Sequence, residues 1–274
     1  MLHSEYQQLK PAFDDLIEAY HKGEKRLSYS SFKSFIEGGP RAFFKNRMMR
    51  EQTDAMIQGI AFHLCVLEPE KYEELYYIFD DSEKVEELIA KGAKSPRSMK
   101  EYKDWKVEYV KQFEGKTELK KEDDLLYRSF REYLYENELT KKYMDTIIEK
   151  EKLYHFDFEG FKWTCRVDGV GHHITTDIKK CTNATPKKMK WAIRDMFYDL
   201  QGVVCSIATG RGEHAIVSID KAHNTSVFIL TGDNMEAVKD RLIYYVSMFE
   251  RCIEEDAWNQ GLNYFVNEPE YVIT

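Results

Sequence analysis

The sequence predicts a mixed α/β fold: a mixed central sheet flanked by helices, with an N-terminal helical region. Two observations predict it. Apolar residues recur at helical spacing through much of the first 150 positions. From about 150 onward, stretches of apolar alternation bounded by turn residues take over, in the order β-β-β-α-β-β-α. With 274 residues, 43% of them hydrophobic and 14% aromatic, the chain can build a sizeable core. It reads as a single domain, 1–274: a mostly helical part over 1–150, a β-rich core with a closing helix over 151–260, and a tail over 261–274.

Each element has a local reason. Tyr6, Leu9, Phe13, Leu16, Ile17 and Tyr20 form one stripe of a helix over 4–22. Hydroxyls in Leu27-Ser28-Tyr29-Ser30-Ser31 can cap a short helix over 32–37. Gly38-Gly39 stops it, and Pro40 suits the first position of a helix over 40–50. A helix over 52–67 is expected to bury Met56, Gly59, Ile60, His63, Leu64 and Leu67. Residues 75–79 form a candidate strand. Segments 97–114 and 121–147 read as helices in a polar layer outside the sheet.

Then come strands over 153–158 and 161–167, joined at Glu159-Gly160, and a strand over 173–179. In the second of these, Phe161, Trp163, Cys165 and Val167 share a face, because side chains alternate. Thr185 and Pro186 open a helix running to 208. Strands over 214–220 and 225–230 turn at 222–224, and a helix over 233–256 closes the core.

Composition excludes several classes. Six Pro and fourteen Gly exclude collagen-like and low-complexity chains. The aromatic content argues against disorder. No apolar run approaches the ~20 residues of a membrane helix, and the N-terminus lacks the pattern of a secretory signal. The expected setting is the cytoplasm. Cys65, Cys165, Cys181, Cys205 and Cys252 are odd in number and hold no CxxC pair, so reduced structural thiols are expected.

The net charge of −8 is uneven. Segment 30–50 holds five basic residues and one acidic, and 161–190 holds seven and two; 66–90 holds nine acidic and two basic. Basic residues gathered on one surface can hold a phosphate backbone even on an acidic protein.

The chemistry concentrates in Arg166-Val167-Asp168-Gly169 and Thr176-Asp177-Ile178-Lys179. Two antiparallel strands joined by a short loop can bring Asp168 and Asp177 together. Asp177 and Lys179, two apart, share a face. Two carboxylates and an ammonium suit a hard divalent ion such as Mg²⁺ (with Mn²⁺ as the alternative), and the Ile178 main-chain carbonyl can add a ligand. Lys179 can orient or deprotonate a bound water and offset phosphate charge. Gln201, three residues after Tyr198, can hydrogen-bond DNA or the attacking water. Lys179, Lys180, Lys187, Lys188 and Lys190 are expected to surround this site.

Taken in order, these pieces resemble the PD-(D/E)xK nuclease superfamily, and within it the RecE-type (exodeoxyribonuclease VIII-like) exonucleases of phages and prophages. The resemblance covers roughly 27–260. It rests on Leu27-Ser28-Tyr29-Ser30-Ser31-Phe32-Lys33 with Gly39-Pro40, Gly59-Ile60-Ala61-Phe62-His63 with Leu67-Glu68-Pro69, the two Asp segments, Tyr198-Asp199-Leu200-Gln201, and Trp258.

It implies His63, Asp168 and Asp177 as metal ligands, Lys179 as the catalytic lysine, Gln201 as an accessory glutamine, and Arg166 and Tyr198 as DNA contacts. It also implies a Mg²⁺-dependent exonuclease acting 5′→3′ on linear duplex ends. A single-strand annealing partner and a ring-shaped trimer or tetramer follow by the same resemblance, in the bacterial host cytoplasm if phage-encoded. A structure-specific or restriction-like endonuclease is the alternative, and a non-catalytic DNA- or partner-binding module the third reading. The family's Gln-Ala-Ala-x-Tyr helix is here Gln201-Gly202-Val203-Val204-Cys205. Without the four-cysteine arrangement of related CRISPR-associated and helicase-linked nucleases, no iron–sulfur cluster is expected.

Overall fold

The computed structural model describes residues 3–49 and 51–265. Arg50, at the end of the predicted third helix, and most of the predicted tail lie outside them. The chain forms two compact units: Met1–Thr53 with Asn137–Thr274, and Asp54–Glu136.

The larger unit opens with α1 (His3–His21), β1 (Leu27–Ser28), α2 (Tyr29–Gly38) and α3 (Pro40–Met49). The α1 stripe is buried as its spacing predicts, Leu9 only partly. The α2 helix starts earlier than expected because Ser28, not a later hydroxyl, caps it, accepting from the Ser31 N–H. Gly39 ends α2 at φ 76°, and a Cβ there would sit 2.5 Å from the Gly261 carbonyl oxygen.

The smaller unit comprises α4 (Asp54–Leu67), α5 (Pro69–Leu75), β2 (Tyr76–Ile78), α6 (Ser82–Ala90), α7 (Lys100–Lys111), β3 (Thr117–Leu119) and α8 (Lys121–Glu136). The 75–79 strand pairs in parallel with β3, which no alternation announced. The α4 stripe differs from the expected one. Ala61, Phe62, Cys65, Val66 and Leu67 are buried, while Ile60 is 48% exposed. Phe62 decides the rotation, packing against Tyr127 and Phe130 of α8, both at 5.9 Å. The single helix expected over 121–147 is two, because the Asn137 side chain caps a new start by accepting from the N–H groups of Leu139 and Thr140.

The chain then returns to the larger unit with α9 (Glu138–Met144), β4 (Glu149–Phe158), β5 (Phe161–Val170), β6 (Ile174–Lys180), α10 (Pro186–Asp195), α11 (Tyr198–Thr209), β7 (Glu213–Ile219), β8 (Thr225–Thr231) and α12 (Gly232–Glu254). The sheet order is β1-β5-β6-β7-β8, with β4 also on β5. β6 and β7 run parallel, as do β1 and β5, and the other neighbours are antiparallel. The β4–β5 turn takes positive φ at Glu159 and Gly160, as a tight hairpin requires. Phe161, Trp163, Cys165 and Val167 are all buried on their shared face. The helix expected over 185–208 breaks at Phe197, which adopts the left-handed conformation at φ 54°. Tyr29 fixes that break by donating its hydroxyl to the Phe197 carbonyl.

Aromatic rings fill the core of this unit. Phe249 of α12 lies 5.0 to 5.6 Å from Phe32, Phe35, Phe43, Phe161 and Trp258. The Cys165 and Cys205 thiols, forty residues apart, meet at 3.7 Å between β5 and α11. Among the described residues, no helix is long and apolar enough to cross a membrane.

Candidate active site

Strand divergence builds the site. β5 and β6 pair through only Gly169–Thr176 and Val170–Thr175. Beyond these, β6 commits to β7, with which it pairs along its whole length. The gap is bridged by a side chain: Asp168 accepts a 2.9 Å hydrogen bond from the Ile178 N–H. A carboxylate is thereby held at the point where the ladder opens. For Ile178 the engaged main-chain group is its N–H.

Asp177 and Lys179 share a face of β6, and α11 lowers Gln201 onto them. Lys179 Nζ donates to Asp177 Oδ1 at 2.7 Å and to Gln201 Oε1 at 3.1 Å. Gln201 Nε2 donates to Asp177 Oδ1 at 2.9 Å. The triangle is closed and nearly buried: the Asp177 side chain is 3% exposed and that of Lys179 16%. Burial pushes the Lys179 pKa down, but Asp177 and Asp168 outweigh it and hold the ammonium above its ordinary range. Lys179 is therefore a cation in this arrangement. The Tyr198 ring lies 4.8 Å from its Nζ and 5.6 Å from that of Lys33, a cation the sequence reading did not single out for this site.

Sequence reasoning also missed Glu151. It stands in β4 between Lys150 and Lys152, which pair with Gly169 and Val167, and so opposite Asp168. Its carboxylate lies within 4.8 Å of that of Asp168. Its φ is 48°, unfavourable for a side chain that is neither Gly nor Asn. Nothing in the Glu149-Lys150-Glu151-Lys152 string separates this glutamate from its neighbour; only the hairpin register does. Asp168, Asp177 and Glu151 against Lys179 leave net negative charge and hard oxygen donors, a donor set that fits a hard divalent cation. We expect Glu151→Asn to keep or raise the stability of the fold, by up to about 1 kcal/mol, because Asn tolerates this backbone. The same change should weaken Mn²⁺ binding in calorimetry.

Arg166 is exposed on β5, and Lys180 is half-buried at the end of β6. His63 lies half-buried on α4 of the smaller unit. Lys187 and Lys190 line a groove with Trp191 and Arg194 whose walls include none of Asp168, Asp177, Lys179 or Gln201. The left-handed Phe197 separates α10, which carries these lysines, from α11, which carries Gln201. Lys188 is exposed on α10 outside that lining.

Beneath α11 lies His214 of β7, fully buried and hydrogen-bonded through Nδ1 to Thr175 at 2.8 Å. Its Nε2 has no hydrogen-bond partner among the described residues. Gly202 packs directly on this ring, and a Cβ there would fall 2.4 Å from its Cδ2. This accounts for the departure from the family's Ala. Helix propensity favours Ala by about 1 kcal/mol, but overpacking costs about 1–3 kcal/mol. Gly202→Ala is therefore expected to lower the urea midpoint rather than raise it.

Burial, with the Lys179 charge, depresses the His214 pKa to about 3. Between pH 6.5 and 3 the unfolded chain binds a proton that the folded chain refuses. This stabilisation is complete above pH 6.5 and is lost as pH falls, by about 1.4 kcal/mol per unit. Between pH 6.5 and 5 the wild type should lose about 2 kcal/mol more than His214→Gln in urea titrations.

Comparison with known proteins agrees with this architecture. No curated protein matches the chain. Among solved structures, a protein from Eubacterium rectale, named only as a candidate exonuclease, is similar over 100% of this chain and 96% of its own, with a TM-score of 0.54 at 14% identity. An alkaline exonuclease from Laribacter hongkongensis is similar over 44% of this chain and 68% of its own, with a TM-score of 0.29 at 18% identity. Residues 28–260 match the family described as a PDDEXK-like domain of unknown function. With that match over most of its length, the chain belongs to the PDDEXK-like family, within the nuclease superfamily that its motifs resemble.

Proposed function

We propose that the protein is a Mg²⁺-dependent exodeoxyribonuclease, with Mn²⁺ as an alternative ion, that hydrolyses linear duplex DNA from an end. The single observation that carries the chemistry is the largely buried set of Asp177, Lys179 and Gln201, tied by hydrogen bonds, with Asp168 held on the Ile178 N–H at the mouth of two diverging strands. The direction, 5′→3′, the 3′ single strand left for an annealing partner, the ring-shaped homo-oligomer and the bacterial cytoplasm rest on the RecE-type resemblance.

When bound, the ion polarises the scissile phosphate and makes a coordinated water more acidic. Asp168 and Asp177 are the residues that would hold it, with Glu151 within reach of Asp168. The resemblance adds His63 as a ligand, and the donor chemistry adds the Ile178 carbonyl as a candidate. Lys179, protonated and oriented by Asp177 and Gln201, meets the charge that builds on the phosphate oxygens. Gln201 fixes the Lys179 head group and keeps Asp177 Oδ1 in place. Arg166, Tyr198, Lys180, Lys187 and Lys188 are proposed DNA contacts.

Digestion of linear duplex labelled at its 5′ or 3′ end, beside a covalently closed circle, with Mg²⁺ or EDTA, tests this. Early release of the 5′ label with the circle intact is the expected result. A cut circle would move the protein to the endonucleases, and binding without cleavage in any divalent ion would leave a binding module.

A further inference from the structure

The groove on the far side of the Phe197 break has a composition the catalytic set does not explain. Its cavity of about 1100 Å³ is lined by α10, the start of α11, β8 and α12. Lys187, Lys190, Trp191 and Arg194 are spaced i, i+3, i+4 and i+7, so α10 turns one face of three cations and a tryptophan into it. Trp191 is 63% exposed, whereas Trp163 and Trp258 are almost fully buried. Among the described residues, none of the three cations forms an ion pair. The acid in the lining, Asp199, is already paired with Arg241 at 2.8 Å. Phe228 and Leu230 of β8 give the groove an apolar floor.

We propose that this groove binds single-stranded DNA, with a base stacked on Trp191 and its phosphates met by Lys187, Lys190 and Arg194. The choice of nucleic acid rests on the nuclease reading; the choice of an unpaired strand rests on the groove. A duplex presents phosphates but hides its base faces in the stack. An unpaired strand offers both, and the combination here of an exposed aromatic, an apolar floor and a one-sided row of cations complements both. Three unpaired cations on a protein of net charge −8 also disfavour an uncharged apolar occupant. The groove would hold a strand the active site has released or has yet to cut, which gives the enzyme a grip on its DNA separate from the scissile phosphate.

The test is anisotropy of a short labelled oligothymidine with the full chain in EDTA, beside an abasic phosphate backbone of equal length. Trp191→Ala should weaken oligothymidine binding about tenfold and leave the abasic strand unchanged. Lys190→Glu with Arg194→Glu should weaken both and reduce the salt slope by about 1.4. Lys22→Glu, at an exposed position just after α1, should change neither. Equal affinity of wild type and Trp191→Ala for oligothymidine would overturn the proposal. So would a shift in sedimentation on Trp191→Ala, which would make the groove an interface between copies. Binding in EDTA needs no chemistry. A failed nuclease reading would therefore show as binding without cleavage, and a failed groove reading as cleavage with unaltered strand affinity in the groove variants.

Discussion

Lys179→Met is expected to reduce cleavage of linear duplex by about a thousandfold while keeping the fold. The methionine preserves the length and burial of the stem and removes only the charge. What is lost is the cation held at 2.7 Å from Asp177 and 3.1 Å from Gln201, the group placed to meet transition-state charge, where one such contact is worth about 10²–10³ in rate. The partner substitution behaves differently. Asp177→Asn should also abolish cleavage, but it leaves a nearly buried ammonium without the carboxylate that holds it. Breaking one side of such a pair costs about 3–5 kcal/mol, softened here by Asp168. The double variant Lys179→Met with Asp177→Asn should recover part of that stability and none of the activity. Urea titration beside end-labelled digestion separates these outcomes. Activity within tenfold of wild type for Lys179→Met would remove the lysine from the mechanism.

Phe249→Ala is expected to destabilise the larger unit by about 3–5 kcal/mol. Its ring is fully buried and meets five other rings, contributed by α2, α3, β5 and the segment after α12. No single neighbour can move into the hole, since each is held by the others. Trp163 and Trp258 lie in the same core and report its unfolding by fluorescence. A lower urea midpoint at unchanged slope is the expected signature. Activity at low temperature, below the shifted transition, should survive, because Phe249 touches none of Asp168, Asp177, Lys179 or Gln201. A loss under about 1 kcal/mol would mean that the cluster can collapse around the cavity.

Much of the site was legible in the sequence. A carboxylate and a lysine two apart on a strand must share a face, and Asp177 and Lys179 do. The alternation of Phe161, Trp163, Cys165 and Val167 predicted the buried face of β5. The α1 stripe and the Pro40 helix start followed from local rules. Failures came where a long-range contact overrode a local one. The α4 stripe was misjudged because Phe62, packed on Tyr127 and Phe130, set the rotation of the helix against the apparent row through Ile60. The helices over 121–147 and 185–208 each looked continuous, and each breaks: one at the Asn137 cap, the other where Tyr29, 168 residues away, holds Phe197 in a left-handed turn.

What the sequence determined by itself is what depends on neighbours along the chain: element types, the shared face of Asp177 and Lys179, the β4–β5 hairpin turn, and the ordered motifs that place the chain in its family. Only the tertiary structure decided which distant groups meet. Strand pairing set Glu151 opposite Asp168, the divergence of β5 from β6 turned the Asp168 carboxylate onto the Ile178 N–H, and the break before α11 brought Gln201 to Lys179 while sending Lys187 and Lys190 to a groove of their own. The physical reason is common to all three. Periodicity specifies a direction relative to one helix or strand, whereas these contacts depend on register and rotation between elements, which packing and long-range hydrogen bonds settle.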